Sequence, residues 1–142
     1  MLTTKQKGDI GLTKVIAELT EQLYGISLPL SEHLKYDAIA EKNGKMARIQ
    51  VKYVGQTKGK IEIKVHTVWS NKKGSHISKR EKGDYDILVV YCPETKKCYF
   101  LSDSDFENGT TVTLRVEAAK NKNSHIRWAK DYEDVDKAFN KV

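Results

Sequence analysis

The hydrophobic positions near the start of the chain follow a helical period. Between residues 4 and 24 the apolar side chains recur three or four positions apart, at Leu12, Val15, Ile16, Leu19 and Leu23. This spacing predicts an amphipathic α-helix, and Gly25 is a residue type that commonly ends one. Residues 26–30 have the character of a short strand, which Pro29 confines to an edge or an end.

The next pattern is an alternation of apolar and polar residues on both sides of the pair Asn43-Gly44. Both residues tolerate positive φ, so the pair predicts a type I′ turn between a strand at residues 36–42 and another at residues 45–54. A two-residue turn fixes the register of the strands that it joins. The hairpin therefore has a predictable pairing, residue by residue.

That register directs three polar side chains to one face of the hairpin. Counting back from the turn sets Asp37 opposite Gln50, and Lys52 lies two residues further along the same strand. Opposed residues share a face and successive residues alternate, so Asp37, Gln50 and Lys52 project together. The opposite face is predicted to be a core face: Tyr36, Ala38, Ala40, Ala47, Ile49, Val51 and Tyr53.

Four more strands are predicted in the rest of the chain, at residues 60–68, 86–92, 98–102 and 111–116. The first alternates like a strand buried on one side, and the second is apolar enough to be a central strand. The third is expected to pair with the second across a proline-containing turn. A short helix over residues 131–141 would close the chain, with its apolar side chains inward.

Length and composition predict one soluble domain that spans residues 1–142. The chain has ordinary single-domain size, and it contains no repeat, no linker and no run of the ~18 apolar residues that a membrane span needs. Its N-terminus lacks the apolar segment of a signal peptide, so we expect an intracellular, cytoplasmic protein. Neither Cys92 nor Cys98 has partners at zinc-ligand spacing, and both are expected to be reduced thiols.

The charge of the chain favours a polyanionic partner. The formal net charge is +6, and such a surface attracts nucleic acid or an anionic membrane. A merely basic soluble protein has the same composition, so the charge alone leaves both interpretations open.

The three polar side chains of the hairpin have the chemistry of a metal-assisted phosphate site. Mg²⁺ takes oxygen ligands and keeps several waters, so the Asp37 carboxylate and the Gln50 amide oxygen suit a site that substrate phosphate completes. Lys52 would orient an attacking water or stabilise negative charge on the phosphate. The helical phase favours Asp9 as a further carboxylate on the buried side of the first helix.

Each of these residues also has an ordinary structural interpretation. Asp37 and Lys52 can form a half-exposed salt bridge across the sheet, and an acid such as Asp9 near a helix start is favoured by the helix dipole. Taken alone, the spacing of an acid followed by QxK is weak evidence for catalysis.

The sequence "YDAIAEKNGKMARIQVKY" resembles the hairpin of the PD-(D/E)XK nuclease superfamily, in which a helix precedes an acid and then (D/E)xK. Asp37 stands at the position of the acid, and Gln50 and Lys52 stand where (D/E)xK lies. Other segments are similar to a bacterial branch with a QxK variant, which includes a group I intron homing endonuclease of cyanobacteria: "KGDIGLTKVIAEL", "LPLSEHLKYD", "IQVKY", "DILVVYCPETKKCYFL" and "LRVEAAKNKNSHIRWAKDYE".

The resemblance implies a restriction-endonuclease-like α/β fold, a mixed central β-sheet flanked by helices. It also implies that Asp37, Gln50, Lys52 and Asp9 are catalytic, and that all but the lysine are metal ligands, with Mn²⁺ as a substitute for Mg²⁺. The chain departs from the family pattern at two positions. Tyr36 replaces the proline of the motif, and Leu12 stands where relatives carry a glutamate in the first helix, which leaves Asp9 as the stand-in.

The polar, basic residues 71–83 are predicted to form a loop or an irregular helix. Such a cluster neutralises DNA phosphates, although a merely solvated loop has the same composition. The expected DNA contacts in this segment are Lys72, Lys73, His76, Lys79, Arg80 and Lys82. Three more are expected in the segment before it, at Lys58, Lys64 and His66.

The implied activity is Mg²⁺-dependent hydrolysis of double-stranded DNA by a site-specific, intron-encoded homing endonuclease. A chain this short covers little DNA, so we expect a dimer or a tetramer whose symmetry matches the target. Two alternatives stay open. One is a structure-specific nuclease like the resolvases of four-way junctions, and the other is a DNA-binding module whose nuclease site has decayed.

Overall fold

A computed structural model describes residues 1–65, 67–78, 83–106, 111–117 and 126–142, with the backbone alone for residues 67–71 and 75–78. Its helices are α1 (Thr4–Glu21), α2 (Asp103–Phe106) and α3 (Val135–Phe139), with a 3-10 helix at Ala129–Tyr132. Its strands are β1 (Gly25–Ser27), β2 (Ala38–Lys42), β3 (Lys45–Tyr53), β4 (Gln56–Thr57), β5 (Lys60–Lys64), β6 (Thr67–Asn71), β7 (Gly74–Ser78), β8 (Ile87–Cys92), β9 (Lys97–Ser102) and β10 (Thr111–Arg115).

The central sheet has five strands in the order β1-β2-β3-β8-β9. The β3–β8 pair is parallel, and the other neighbours are antiparallel. Helix α1 packs on one face of this sheet, whereas a small sheet of order β10-β5-β4 packs on the other. The predicted fold class, a mixed sheet flanked by helices in an α/β protein, is confirmed.

Strand β8 is buried on both faces of the sheet, which explains its continuous apolar sequence. Ile87 and Val89 belong to the cluster beneath α1 and α3, and Leu88 and Val90 belong to the cluster beneath the small sheet. The prediction of a central strand here is confirmed, and so is the pairing of this strand with β9.

The hairpin of β2 and β3 has the predicted turn and register. Asn43 and Gly44 have φ values of 54° and 80°, as a type I′ turn requires. Ala38 pairs with Ile49 and Ala40 with Ala47. Tyr36 is an exception to the predicted core face, because it packs against the cluster on the opposite side of the sheet. Strand β2 begins at Ala38, so the alternation of faces does not extend back to Tyr36.

Helix α1 ends in a Schellman motif whose left-handed residue is Leu23, with φ of 67°. Tyr24 N donates to Leu19 O at 2.9 Å, and Leu23 N donates to Thr20 O at 3.0 Å. The prediction that Gly25 ends the helix is wrong, since Gly25 begins β1. Tyr24 is buried against Phe139, with ring centroids 5.0 Å apart. This packing holds the turn in place although leucine disfavours positive φ.

Two strand predictions needed correction. Residues 60–68 are not one strand, because β10 pairs with residues 60–64 alone and β6 begins at Thr67. Residues 74–78, predicted as loop or irregular helix, form β7, which pairs with β6 around a two-residue turn at Lys72 and Lys73. Only Ile77 is strongly apolar in β7, so the alternation that predicts a strand is missing there.

Two further predictions differ in their bounds. The strand expected at residues 26–30 is Gly25–Ser27, and in place of one helix at residues 131–141 there is a 3-10 helix at Ala129–Tyr132 followed by α3 at Val135–Phe139. Cys92 and Cys98 are free, buried thiols. Val135, Ala138 and Phe139 of α3 are buried. In the described residues, no helix is both long enough and apolar enough to cross a membrane.

Candidate active site

Asp37 is held at the start of β2 by the backbone of β3. Its backbone N–H donates to Ile49 O at 2.8 Å, and its Oδ2 accepts from Val51 N, also at 2.8 Å. The carboxylate takes the place of a backbone carbonyl as the acceptor for Val51. Its position is therefore tied to the strand that carries Gln50 and Lys52.

Gln50 and Lys52 lie on that strand, one on each side of Val51 in sequence. In the parallel pairing with β8, Gln50 is opposite Leu88 and Lys52 is opposite Val90. Both polar side chains are half-buried, at the margin of the cluster that Leu88 and Val90 enter. The polar side chains therefore lie beside a buried apolar cluster, where charge interactions are stronger than in water.

Asp37 and Lys52 are both partly buried, and burial disfavours the charged form of each. Burial raises the pKa of Asp37, while the Val51 N–H and the Lys52 charge oppose that rise. Burial lowers the pKa of Lys52, and the Asp37 charge opposes that fall. Burial therefore disfavours the ionised form of each group, although the opposite charge of its neighbour favours that form. Perturbed groups of this kind concentrate at functional sites.

The oxygens of the site suit a hard cation such as Mg²⁺. Asp37 has one oxygen bonded to Val51, and within the described part of the chain neither its second oxygen nor the Gln50 amide has a hydrogen-bond partner. No group of three His, Cys, Asp or Glu side chains that could hold a metal ion occurs in the described residues. A cation here would need further oxygens from water and substrate, as Mg²⁺ commonly does.

Asp9 is exposed, so the prediction that it lies on the buried side of α1 is wrong. The buried side runs through Gly11, Val15 and Leu19, and an added Cβ at Gly11 would lie 3.5 Å from a Val51 side-chain carbon. Because Gly11 has no side chain, the apolar pattern gave the wrong phase for this face. Leu12 is half-buried next to it.

Arg48 and Asp86 form an ion-pair network next to the site that the sequence did not reveal. Arg48 Nη2 lies 3.0 Å from Asp86 Oδ1, Nε lies 3.2 Å from Oδ2, and the Arg48 backbone N donates to Oδ2 at 2.8 Å. Arg48 Nη1 also donates to Gly83 O. These contacts join Arg48 of β3, two residues before Gln50, to Asp86, the residue before β8. The only signal for it in the sequence is a charged residue next to each buried strand segment.

The predicted DNA-contacting residues lie on several different elements. Lys58 and Lys64 are exposed around β5, and Lys72 and Lys73 are exposed at the tip of the β6–β7 hairpin. The backbone alone is described for one further residue, His76. Four others lie outside the described residues: His66, Lys79, Arg80 and Lys82.

Comparisons with known proteins bear on the family and the fold of the chain. The family model described as PD-(D/E)XK endonuclease matches residues 2–135. A solved structure with a similar fold is that of the bacterial homing endonuclease I-Ssp6803I, with a TM-score of 0.79 and 22% identity over 92% of this chain and 88% of that chain. At that identity the likeness shows the fold. A search of curated proteins finds no match.

Proposed function

Because the chain belongs to the PD-(D/E)XK endonuclease family and is therefore a nuclease, we propose that it is a Mg²⁺-dependent enzyme that hydrolyses phosphodiester bonds of double-stranded DNA. The observation that carries this proposal is the grouping of Asp37, Gln50 and Lys52. An acid held by the backbone of the strand that bears an amide and a lysine supplies oxygens for a cation and a positive charge for a phosphate.

Each residue of the group has a separate role in this proposal. Nucleases of this family generally use divalent metals, and the ion would polarise the phosphate and favour ionisation of the attacking water. Asp37 and Gln50 would hold that ion through oxygen atoms. Lys52 would orient the water or stabilise charge on the phosphate in the transition state. Asp9 is proposed as an additional, exposed carboxylate that contributes through water.

We further propose that the enzyme cuts specific sites, as a homing endonuclease does, in the cytoplasm or nucleoid. The fold shared with a bacterial homing endonuclease supports this choice. The exposed lysines Lys58, Lys64 and Lys72 would contact phosphates together with the other basic residues predicted to do so. These contacts supply affinity, and the hairpin of β6 and β7 is the element that we expect to reach into a groove.

We expect a dimer or a tetramer, because the described part of each chain contains one such site and a double-strand break needs two. Exposed apolar side chains beside the edge strand β1 support self-association. Leu28 is 60% exposed and Leu30 is 100% exposed. Single exposed leucines are common, but a group next to an unpaired strand edge is a frequent contact surface.

The proposal is tested with the purified protein and a large plasmid library in Mg²⁺, followed by sequencing of the ends. Discrete ends that recur at one sequence are expected, and Asp37→Ala or Lys52→Ala should produce none. If the protein cleaves a four-way junction in preference to linear duplex, it is a junction-resolving nuclease and the proposal of site-specific cleavage is wrong.

One observation favours a second candidate, a DNA-binding protein whose nuclease site has decayed. Among the described residues the site contains one carboxylate that is held in place, and Gln50 and Leu12 stand where the family resemblance implies acids. Tight duplex binding without cleavage in either Mg²⁺ or Mn²⁺ would establish that candidate instead.

A further inference from the structure

A pocket lies between β9, the end of β10 and the 3-10 helix. It has a volume of about 330 Å³, and its lining includes Lys97, Tyr99, Arg115, Trp128, Lys130 and Glu133. None of these residues belongs to the site of Asp37 and Lys52, and none was expected to contact DNA from the sequence.

One of the side chains that line the pocket has a buried donor without a partner. Arg115 Nε is a buried nitrogen with no hydrogen bond, the single such side-chain atom found in the described residues. Arg127, which is nearby in the fold, is different because its Nη1 lies 3.3 Å from Asp105 Oδ1. Leaving a buried donor unsatisfied costs free energy, so such an atom calls for an explanation. Among the described residues, the rest of the Arg115 guanidinium has no partner either, and an acceptor from a ligand in the pocket would give this group one.

The charges of the lining select an anionic ligand. Lys97 is paired with Glu133, with Nζ and Oε1 2.8 Å apart. Within the described residues, Arg115 and Lys130 have no ion pair. Three cations thus face one carboxylate, and the guanidinium has the fork geometry that binds phosphate through two hydrogen bonds.

The pocket lies at the same end of the central sheet as Lys52. Lys52 pairs with Val90, and Val90 pairs with Tyr99, so the three residues form a row across β3, β8 and β9. Two strand spacings separate the first residue of the row from the last, roughly 10 Å. A duplex that presents its scissile phosphate to Lys52 therefore passes close to this pocket.

We propose that the pocket of Arg115 binds a backbone phosphate of the DNA at a position away from the scissile bond. This inference rests on the proposed function, and it adds a positioning contact that holds the duplex relative to Lys52. The phosphate accepts from the Arg115 guanidinium, and Lys130 adds to the attraction.

The test is the variant Arg115→Met, which keeps the aliphatic volume and removes the buried donor. Without DNA its Tm is expected to equal or exceed that of the parent, because an unsatisfied group is lost. Its affinity for duplex DNA in EDTA should fall about tenfold, and the slope of log K against log salt should flatten by about one unit. Lys141→Met, which removes an exposed cation near the C-terminus, is the control for charge alone and should leave the slope unchanged.

The control for the Tm measurement is the variant Arg127→Met. That change takes a partner from Asp105, whose side chain is 15% exposed, and should lower the Tm. If Arg115→Met lowers the Tm to the same extent and leaves DNA affinity and slope unchanged, Arg115 is structural and the proposal is overturned. If inorganic phosphate at constant ionic strength protects the parent but not Arg115→Met, while duplex affinities are equal, the site takes free phosphate and the DNA proposal is also overturned.

Separate measurements of DNA cleavage and DNA binding distinguish a failure of the pocket proposal from a failure of the nuclease proposal on which it rests. A parent protein that binds duplex in EDTA but cuts nothing in Mg²⁺ contradicts the nuclease proposal and leaves the affinity of Arg115→Met as a valid test of the pocket. A parent that cuts DNA, with an Arg115→Met variant of equal affinity and slope, contradicts the pocket alone.

Discussion

The Asp37 carboxylate accepts a hydrogen bond from the backbone N–H of Val51, with a distance of 2.8 Å. Val51 is the residue between Gln50 and Lys52, so one backbone group positions the acid relative to both. Because the donor is backbone, the contact depends on strand register and not on the identity of the side chain at position 51. A slip of one residue would move the donor and turn Gln50 and Lys52 to the opposite face.

Asp37→Asn is expected to abolish cleavage and to raise the Tm. An amide oxygen still accepts from Val51 N–H, whereas the cost of burying a charge disappears. The pKa of Asp37 is raised by burial even with Lys52 charged nearby, so ionisation of Asp37 opposes folding at neutral pH. Thermal unfolding at pH 7 and a plasmid cleavage assay measure the two effects. A lower Tm would mean that the carboxylate stabilises the fold.

The same pKa shift predicts how the stability advantage of Asp37→Asn depends on pH. With a folded-state pKa above the unfolded value, the folded parent binds more protons than the unfolded chain between those two values. The stability that Asp37 contributes is therefore present below its unfolded pKa and is lost as pH rises through its folded pKa. The difference in Tm between variant and parent should shrink as the pH is lowered through this window. A difference that is constant with pH would exclude Asp37 as its source.

Gln50→Glu is expected to destabilise the metal-free protein and to lower the Mg²⁺ concentration needed for half-maximal cleavage. A second carboxylate beside Asp37 adds repulsion without a cation and adds a charged ligand with one. The rise in Tm on adding Mg²⁺ should be larger for Gln50→Glu than for the parent, and cutting at single-mismatch sites should increase. Gln50→Ala should raise the metal requirement. Equal Mg²⁺ titrations for Gln50→Glu and the parent would remove Gln50 from the metal site.

Leu12→Glu tests whether an acid at position 12 of α1, where the family resemblance implies one, contributes to metal binding. Leu12 is half-buried and Asp9 is exposed, so a glutamate at position 12 should lower the Mg²⁺ requirement. Asp9→Asn should slow cleavage less than tenfold, with rescue by raised Mg²⁺, since an exposed carboxylate acts more weakly. Single-turnover rates across a Mg²⁺ titration compare the two variants. No response to either change would leave α1 without a role in metal binding.

Leu23→Gly is expected to stabilise the protein by roughly 0.5–1 kcal/mol. Leu23 has φ of 67°, a conformation that costs a leucine about 1–2 kcal/mol and a glycine almost nothing. Its side chain is 81% exposed, so little packing is lost, although glycine loses more chain entropy on folding. Urea unfolding measures the difference in the free energy of unfolding between the variant and the parent. Leu23→Ala is the control, because it removes the same apolar surface and keeps the strained backbone, and it should produce no gain.

Arg48→Met is expected to destabilise the fold by on the order of 1–3 kcal/mol, because Asp86 then loses charged donors in a partly buried position. The Arg48 and Asp86 side chains are 38% and 25% exposed, so solvent weakens the ion pair and the lower part of that range is expected. The double variant Arg48→Met with Asp86→Asn should recover part of the loss in urea unfolding. Additive losses would mean that the two residues act independently.

Local sequence determined the parts of this protein that depend on neighbours along the chain. The apolar period of residues 4–24 is sufficient for α1, and the Asn43-Gly44 pair is sufficient for the turn and for the register that pairs Ala38 with Ile49. A two-residue turn leaves the backbone few alternatives, and alternation then decides which side chains share a face. The prediction that Asp37, Gln50 and Lys52 lie together therefore needed only the amino-acid sequence.

Tertiary structure decided the features that depend on contacts between segments distant in the sequence. The left-handed conformation of Leu23 follows from the burial of Tyr24 against Phe139, and the exposure of Asp9 follows from the contact of Gly11 with β3. Arg48 meets Asp86 across 38 positions of sequence, and the pocket of Arg115 exists only where β9 and β10 meet the 3-10 helix. Such contacts depend on which surfaces pack together, and a local pattern of apolar residues carries no information about that choice.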